Sequence, residues 1–125
     1  DWKLRFSQLL GVPGDGDYSQ FTAFWIRPEY MIRPAYVTDV TAEMVNDYSA
    51  VTDPQYKQWF DQNIINSYFA GEYPWTRLGY TYDWSGGSTD YGLTEFLIFD
   101  GSKAEIEFTR STEEFVEWLR EQDEK

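Results

Sequence analysis

The chain of 125 residues contains neither cysteine nor histidine. Without cysteine it has no disulfide, no thiolate metal ligand and no thiol nucleophile, and without histidine it has no imidazole base for a serine or cysteine nucleophile. Any catalysis must therefore use Asp, Glu, Arg, Lys, Tyr, Ser or Thr, and we expect no metal site. The redox compartment stays open, because a cysteine-free chain is compatible with either side of a membrane.

Positive charge and long apolar runs are also scarce. Ten Lys and Arg against 22 Asp and Glu give a net charge of −12. Such a surface repels phosphate backbones, so we expect no nucleic-acid binding. No apolar run approaches the length of a membrane span, so we expect a soluble chain without membrane insertion. The length predicts one domain, residues 1–125, able to bury a core without disulfides.

Aromatic residues, in contrast, make up 20% of the chain, which is high for a soluble domain. They are densest in the stretch EYPWTRLGYTYDWSGGSTDYGLTEFLIFD, residues 72–100. This stretch forms either a heavy core hairpin or the wall of a pocket for a flat, charged ligand. Tyr80, Tyr82 and Trp84 share one side of an extended run, and that row is either core or a stacking platform.

Local signals predict two helices. The first begins after Asp53, which can cap it, and has Pro54 at its first position and Gly71 as its natural end. The second closes the chain, with a capping-box pattern at Ser111 and Glu114. We predict a buried stripe on this second helix, formed by Phe115, Trp118 and Leu119. Further core rings are predicted at Trp59, Phe60, Phe96 and Phe99.

The remaining segments predict strands. Residues 19–26, 31–40, 78–82, 95–99 and 105–108 read as extended, and DGSK, residues 100–103, is a hairpin signal. Residues 1–10 are consistent with either a strand or a short helix. The predicted fold class is therefore α+β, with an antiparallel-leaning sheet, a central helix and a C-terminal helix.

Scarce arginines and one glutamate are the candidates for chemistry. Arg27, Arg33 and Arg77 lie beside aromatics or prolines, where a guanidinium can bind a phosphate, stack on a ring or form an ion pair with a nearby acid. Glu95 opens the predicted strand EFLIF directly after a loop, a position typical of a catalytic carboxylate, unless it is a solvated strand end. Asp83 would be partly desolvated and could orient Arg77 or a ligand hydroxyl.

The motif YPWTRLGYTYDW (73–84), with the Gly-x-Thr-Glu-Phe step at 92–96 and IRPAY at 32–36, resembles C-terminal toxin domains of bacterial polymorphic secretion systems. These toxins are similar to ADP-ribosyltransferases, among them ones that modify the translation factor EF-Tu. The resemblance implies an ADP-ribosyltransferase-like split antiparallel sheet with an NAD cleft. Because residue 1 is not Met, we expect a C-terminal toxin domain cut from a longer protein. Such a toxin serves interbacterial competition, is secreted or delivered by a secretion system, and acts in the recipient-cell cytoplasm.

The resemblance also implies roles and partners. Arg33, with Arg27 as the alternative, would bind NAD phosphate or ribose, and Thr81 would match the hydroxyl-bearing segment. Glu95 would hold the ribose 2′-hydroxyl and stabilise the oxocarbenium-like state. In addition, Tyr80 or Tyr82 would stack on nicotinamide, and Arg77 would bind a phosphate or brace the motif. The implied partners are NAD, a target protein in the recipient cell such as a translation factor, and a cognate immunity protein.

Departures from the family pattern keep three hypotheses open. The chain has no Ser-Thr-Ser triplet, and Leu93 stands where a second acid or Gln would precede Glu95. The first hypothesis is an NAD-consuming toxin, either a transferase or an NAD glycohydrolase. The second is a non-catalytic module that stacks on sugars. The third is an acidic immunity-type protein that masks a basic partner.

Overall fold

The computed structural model describes residues 1–70 and 75–124. Gly71, the predicted helix end, and Tyr73 and Pro74 of the quoted motif lie outside these residues. The helices and strands are α1 (Trp2–Leu10), β1 (Gln20–Ile26), β2 (Met31–Ile32), α2 (Pro54–Ile65), β3 (Tyr80–Tyr82), β4 (Tyr91–Thr94), β5 (Leu97–Ile98), β6 (Ala104–Ser111) and α3 (Thr112–Asp123). The fold is α+β with small antiparallel sheets, as predicted.

The helix starts follow the local signals. Asp53 caps α2 by accepting the N–H groups of Gln55 and Tyr56, and the Ser111–Glu114 capping box begins α3, both as predicted. Residues 1–10, which were consistent with a strand or a short helix, form a helix. The Asp1 side chain caps α1, and Gly11 ends it with a left-handed φ of 71°. No helix in residues 1–70 and 75–124 has the length and apolar character needed to cross a bilayer.

Three antiparallel strand pairs are present among the described residues: β1 with β6, β2 with β5, and β3 with β4. The hairpin prediction at residues 100–103 is wrong. A turn does form there, since Ser102 N–H donates to Phe99 O at 3.2 Å. However, β5 pairs with β2 and β6 pairs with β1, so this turn joins two different sheets. Of the predicted strand at 31–40, only Met31 and Ile32 form a strand, and after the bend at Pro34 residue Ala35 makes an isolated bridge with Leu78.

Aromatic rings form the core in two groups. In the first, Phe60 of α2 is fully buried and packs with Tyr36, Val51 and Trp75. In the second, Phe115 of α3 stacks on Phe21 of β1 with ring centroids 4.3 Å apart, and Phe6 of α1 packs against both. Phe60 is therefore a core residue, as predicted.

Several predicted core side chains are exposed instead. Trp59, Phe96 and Phe99 keep between 37% and 48% of their surface in solvent. On α3, Leu119 is 40% exposed and Val116 is buried in its place. The helix α3 packs against α1, β1 and β6, and an amphipathic helix buries only the stripe that faces its neighbours.

A half-buried ion pair ties α1 to the segment after β3, since the Arg5 side chain keeps 43% of its surface in solvent. Arg5 donates from Nη1 to Asp83 Oδ1 at 3.1 Å and from Nη2 to Oδ2 at 2.8 Å. Asp83 is only 3% exposed. Asp83 therefore orients Arg5, and the predicted pairing with Arg77 is wrong. The hydrogen bonds from Arg5 are the main cause that lowers the pKa of Asp83 to about 2.

The Arg5–Asp83 pair predicts a specific acid dependence of stability. Because the folded pKa lies below the ordinary value of 3.8, the contribution is present above that pH and is lost as the pH falls through about 2. Asp83→Asn should lower the Tm by several degrees at pH 7 and flatten its decline between pH 4 and pH 2. Asp17→Asn is the control, because Asp17 is 96% exposed in its contact with Lys3. A wild-type pH profile in Asp83→Asn would contradict this assignment.

Candidate functional site

A cleft of about 210 Å³ lies where the end of α1, the C-terminal part of α2 and strand β3 meet. Tyr80, Thr81 and Tyr82 of β3 line it together with Glu95. Four of the six site residues predicted from the sequence are therefore brought to one cavity. Trp75, from the core, also lines the cleft.

Glu95 lies in the short junction between β4 and β5, so the prediction that it opens a strand is wrong. Its N–H donates to Gly79 O at 3.0 Å, which fastens the junction to the residue preceding β3. The Glu95 side chain is half-buried at the cleft. Burial raises the pKa of Glu95 above its ordinary value of 4.5, and the nearby charge of Arg33 opposes this rise.

Arg33 binds the same backbone carbonyl, Gly79 O, that accepts the Glu95 N–H. Its Nη2 donates to Gly79 O at 2.5 Å, and its guanidinium carbon lies 5.4 Å from the ring centroid of Phe96. Gly79 has a φ of 81°, and a Cβ at this position would collide with the Arg33 guanidinium. Only glycine therefore allows both the turn into β3 and the close approach of Arg33.

Arg33 has no carboxylate within ion-pair distance among the described residues, and its Nε is buried without a hydrogen-bond partner there. Arg27 differs, because it pairs with Glu29 at 3.3 Å with 74% of its side chain exposed. The predicted alternative that an arginine forms an ion pair with a nearby acid thus holds for Arg27 and not for Arg33. Arg27 and Arg33 were the alternatives for binding NAD phosphate or ribose. Of the two, only Arg33 contacts Gly79, the residue before the cleft-lining Tyr80.

Arg77 does not line the cleft. Its guanidinium carbon lies 5.6 Å from the ring centroid of Tyr36 and 5.3 Å from that of Tyr68. Its backbone has a φ of 64°, which is rare for a residue with a side chain. Arg77 O also accepts from Tyr36 N–H at 3.1 Å. Arg77 therefore packs against aromatic rings outside the cleft lining.

The hydroxyl of Thr81 is already engaged by the backbone. It donates to Leu9 O at 2.5 Å and accepts from Leu93 N–H at 2.8 Å, linking α1 to β4. One lone pair is left for a ligand. Thr81 thus fixes the wall of the cleft between two elements.

The two tyrosines of β3 are among the residues that line the cleft. Tyr80 packs edge-on against Tyr91 with ring centroids 4.8 Å apart. Burial raises the pKa of the Tyr80 phenol, and the charges of Tyr91 and Asp90 add to this rise. The ring therefore stays neutral at physiological pH and suits stacking on a flat ligand.

Asn63 and Ser67 also line the cleft and were not predicted. Asn63 belongs to the last turn of α2, and Ser67 lies in the π-helical segment Asn66–Ala70 that follows it. In the sequence, these two polar residues close together in the C-terminal half of the predicted helix were the signal from which a polar cleft wall could have been predicted. Among the residues that the structure describes, no group of three or more acidic side chains is arranged to hold a metal ion.

No protein-family model matches the chain, and comparison with curated proteins and with solved structures finds no similar protein.

Proposed function

We propose that the chain is an NAD-dependent ADP-ribosyltransferase toxin domain that cleaves the nicotinamide–ribose bond and modifies a protein of the target cell. One observation carries the proposal. The backbone N–H of Glu95 and the guanidinium of Arg33 both donate to Gly79 O, and the half-buried Glu95 lines a cleft together with Tyr80, Thr81 and Tyr82. An acid, a cation without an acid partner and stacking surfaces are what this reaction requires of a protein.

In the proposed reaction, the bond between ribose C1′ and the nicotinamide nitrogen breaks, and its electron pair stays on the nitrogen. The leaving nicotinamide is neutral, and the positive charge passes to the ribose as an oxocarbenium ion. The ionised Glu95 carboxylate accepts a hydrogen bond from the ribose 2′-hydroxyl and stabilises this charge. A nucleophile of the target, or water, then bonds to C1′ and releases a proton.

In the proposed complex, the cleft would hold only one end of the dinucleotide. A volume of about 210 Å³ is smaller than the roughly 300 Å³ at which pockets for drug-sized ligands begin. The nicotinamide and its ribose would therefore occupy the cleft, with the ring against Tyr80 or Tyr82. The pyrophosphate would extend toward Arg33, whose guanidinium supplies positive charge in an otherwise acidic chain. Arg77 would brace this arrangement from behind.

The finer fold and the biology belong to the same proposal. The paired antiparallel strands with a central α2 and a C-terminal α3 would correspond to an ADP-ribosyltransferase-like split sheet. The domain would be delivered by a bacterial secretion system into the recipient-cell cytoplasm. It would modify a protein there, with a translation factor as the first target to test, and a cognate immunity protein would protect the producing cell.

The proposal is tested by incubating the purified chain with NAD, with and without a bacterial lysate as acceptor. We expect release of nicotinamide, with ADP-ribose bound covalently to a lysate protein. Free ADP-ribose accumulating without the lysate would assign the chain as an NAD glycohydrolase instead. Absence of nicotinamide release under both conditions would overturn the enzymatic function.

A further inference from the structure

A second cavity, of about 410 Å³, lies at the opposite end of α2. Its lining includes Asp53, Gln55 and Tyr56, whereas Asn63 and Ser67 of the same helix region line the cleft described above. Eight residues separate Gln55 from Asn63, which corresponds to about 12 Å along a helix. The core ring of Phe60 lies between these positions. The two cavities are therefore separate sites.

Part of the lining of this cavity is apolar, and one of its aromatic residues is held by hydrogen bonds. Ile32, Tyr36, Val51, Tyr56 and Phe99 supply its apolar surface. Tyr56 is fixed, because its hydroxyl donates to Ala35 O at 2.7 Å and accepts from Ala35 N–H at 2.9 Å. Burial raises the pKa of Tyr56 to about 12, so the ring is neutral. The volume lies within the roughly 300–1,000 Å³ range of small-molecule pockets.

The rim is polar and has free hydrogen-bonding groups. Asp53 uses Oδ1 for the two backbone N–H groups that it caps, which leaves Oδ2 available. The side chains of Thr38, Thr52 and Gln55 also line the cavity and have no hydrogen-bond partner among the described residues. No lysine or arginine lines it within the described part of the chain. The rim therefore offers donors and acceptors but disfavours an anionic group.

We propose that this cavity binds an uncharged aminopurine-like ring, of the kind found in adenosine. Tyr36, Tyr56 and Phe99 supply aromatic side chains to the lining, and aromatic surfaces suit a planar heteroaromatic ring. A glutamine carboxamide matches the adjacent ring nitrogen and amino group of adenine with two hydrogen bonds. Gln55 supplies that carboxamide at the rim. A phosphate on the same ligand is disfavoured by the Asp53 carboxylate and by the lack of a lining cation.

Titration calorimetry with adenosine and with AMP tests the site. We expect adenosine to bind with a Kd of about 0.1–1 mM, the range for a ligand of this size at low efficiency. AMP should bind about fivefold more weakly or worse, as expected for one unfavourable charge contact in water. Equal binding of AMP, or no binding of adenosine at millimolar concentration, would overturn the proposal.

Two variants of α2 locate the binding. Gln55→Ala should weaken adenosine binding about tenfold or more, because two hydrogen bonds are lost. Gln58→Ala is the matched control on the same helix, since Gln58 is exposed and lies outside the cavity lining. Both variants should bind and cleave NAD like the wild type, because neither residue lines the cleft near Glu95. Equal adenosine affinity in the two variants would place the binding elsewhere and refute this site.

Discussion

Glu95→Gln is expected to abolish NAD cleavage and, at the same time, to make the protein more stable. The amide keeps the size of the side chain but removes the negative charge that stabilises the oxocarbenium ion. Loss of one such electrostatic contact lowers kcat by roughly 100-fold or more. Nicotinamide release measured at saturating NAD gives the rate, and affinity for NAD should change much less.

The gain in stability follows from the direction of the pKa shift of Glu95. Burial raises its pKa in the folded chain above the ordinary 4.5, so stability falls as the pH rises from 4.5 through the raised value, and the cost is complete above it. Gln cannot ionise and avoids this cost. The Tm of Glu95→Gln should therefore exceed that of the wild type at pH 7, and the difference should vanish below about pH 4.5.

Glu29→Gln provides the matched control. Glu29 is exposed and pairs with Arg27, away from the cleft, so its replacement should change neither the rate nor the Tm measurably. A Glu95→Gln variant that keeps wild-type activity would remove Glu95 from the mechanism. A variant that loses activity through unfolding would instead contradict the predicted rise in Tm, and the two failures are thus distinguishable. Retention of a destabilising acid is expected where function requires it.

Sequence reasoning predicted the features that depend on neighbouring residues. The caps at Asp53 and Ser111 act on the first turn of their own helices, so the sequence alone is sufficient to recognise them. The strand partners could not be obtained in this way. In the β1–β6 pair, Gln20 faces Ser111, and this pairing of distant strands overrides the hairpin signal at residues 100–103.

The same contrast between local signals and long-range contacts holds for the candidate site. Glu95 and Arg33 were recognisable as unusual residues in the sequence, but their shared contact with Gly79 O depends on the turn before β3. The partner of Asp83 was assigned wrongly for the same reason, since Arg5 lies 78 positions away. Residue type thus indicated which side chains were candidates for a site, whereas long-range packing decided which of them meet.

The largest loss of stability is expected from Phe60→Ala. Phe60 is fully buried, and its ring lies 4.7 Å from the ring centroid of Trp75 and 5.4 Å from that of Tyr36. Replacing a buried Phe by Ala costs about 3–5 kcal/mol, because the apolar contacts are lost and a cavity remains. A domain of this size has a free energy of unfolding of about 5–15 kcal/mol. The variant should therefore be close to unfolding at 37 °C.

Urea unfolding of Phe60→Ala and Leu119→Ala compares the loss of a buried apolar side chain with the loss of an exposed one. Leu119 is 40% exposed on α3, so its replacement should shift the midpoint far less than the Phe60 change. Equal shifts would contradict the position of the core.

Phe60→Leu extends the test to the cleft, because Trp75 packs on Phe60, lines the cleft and donates from Nε1 to Pro34 O at 2.9 Å. Pro34 follows Arg33 directly, so a smaller residue at position 60 should loosen both the Trp75 wall and the Arg33 backbone. In the folded Phe60→Leu variant we expect a higher KM for NAD with a smaller change in kcat. Unchanged KM would mean that the cleft keeps its shape independently of the core.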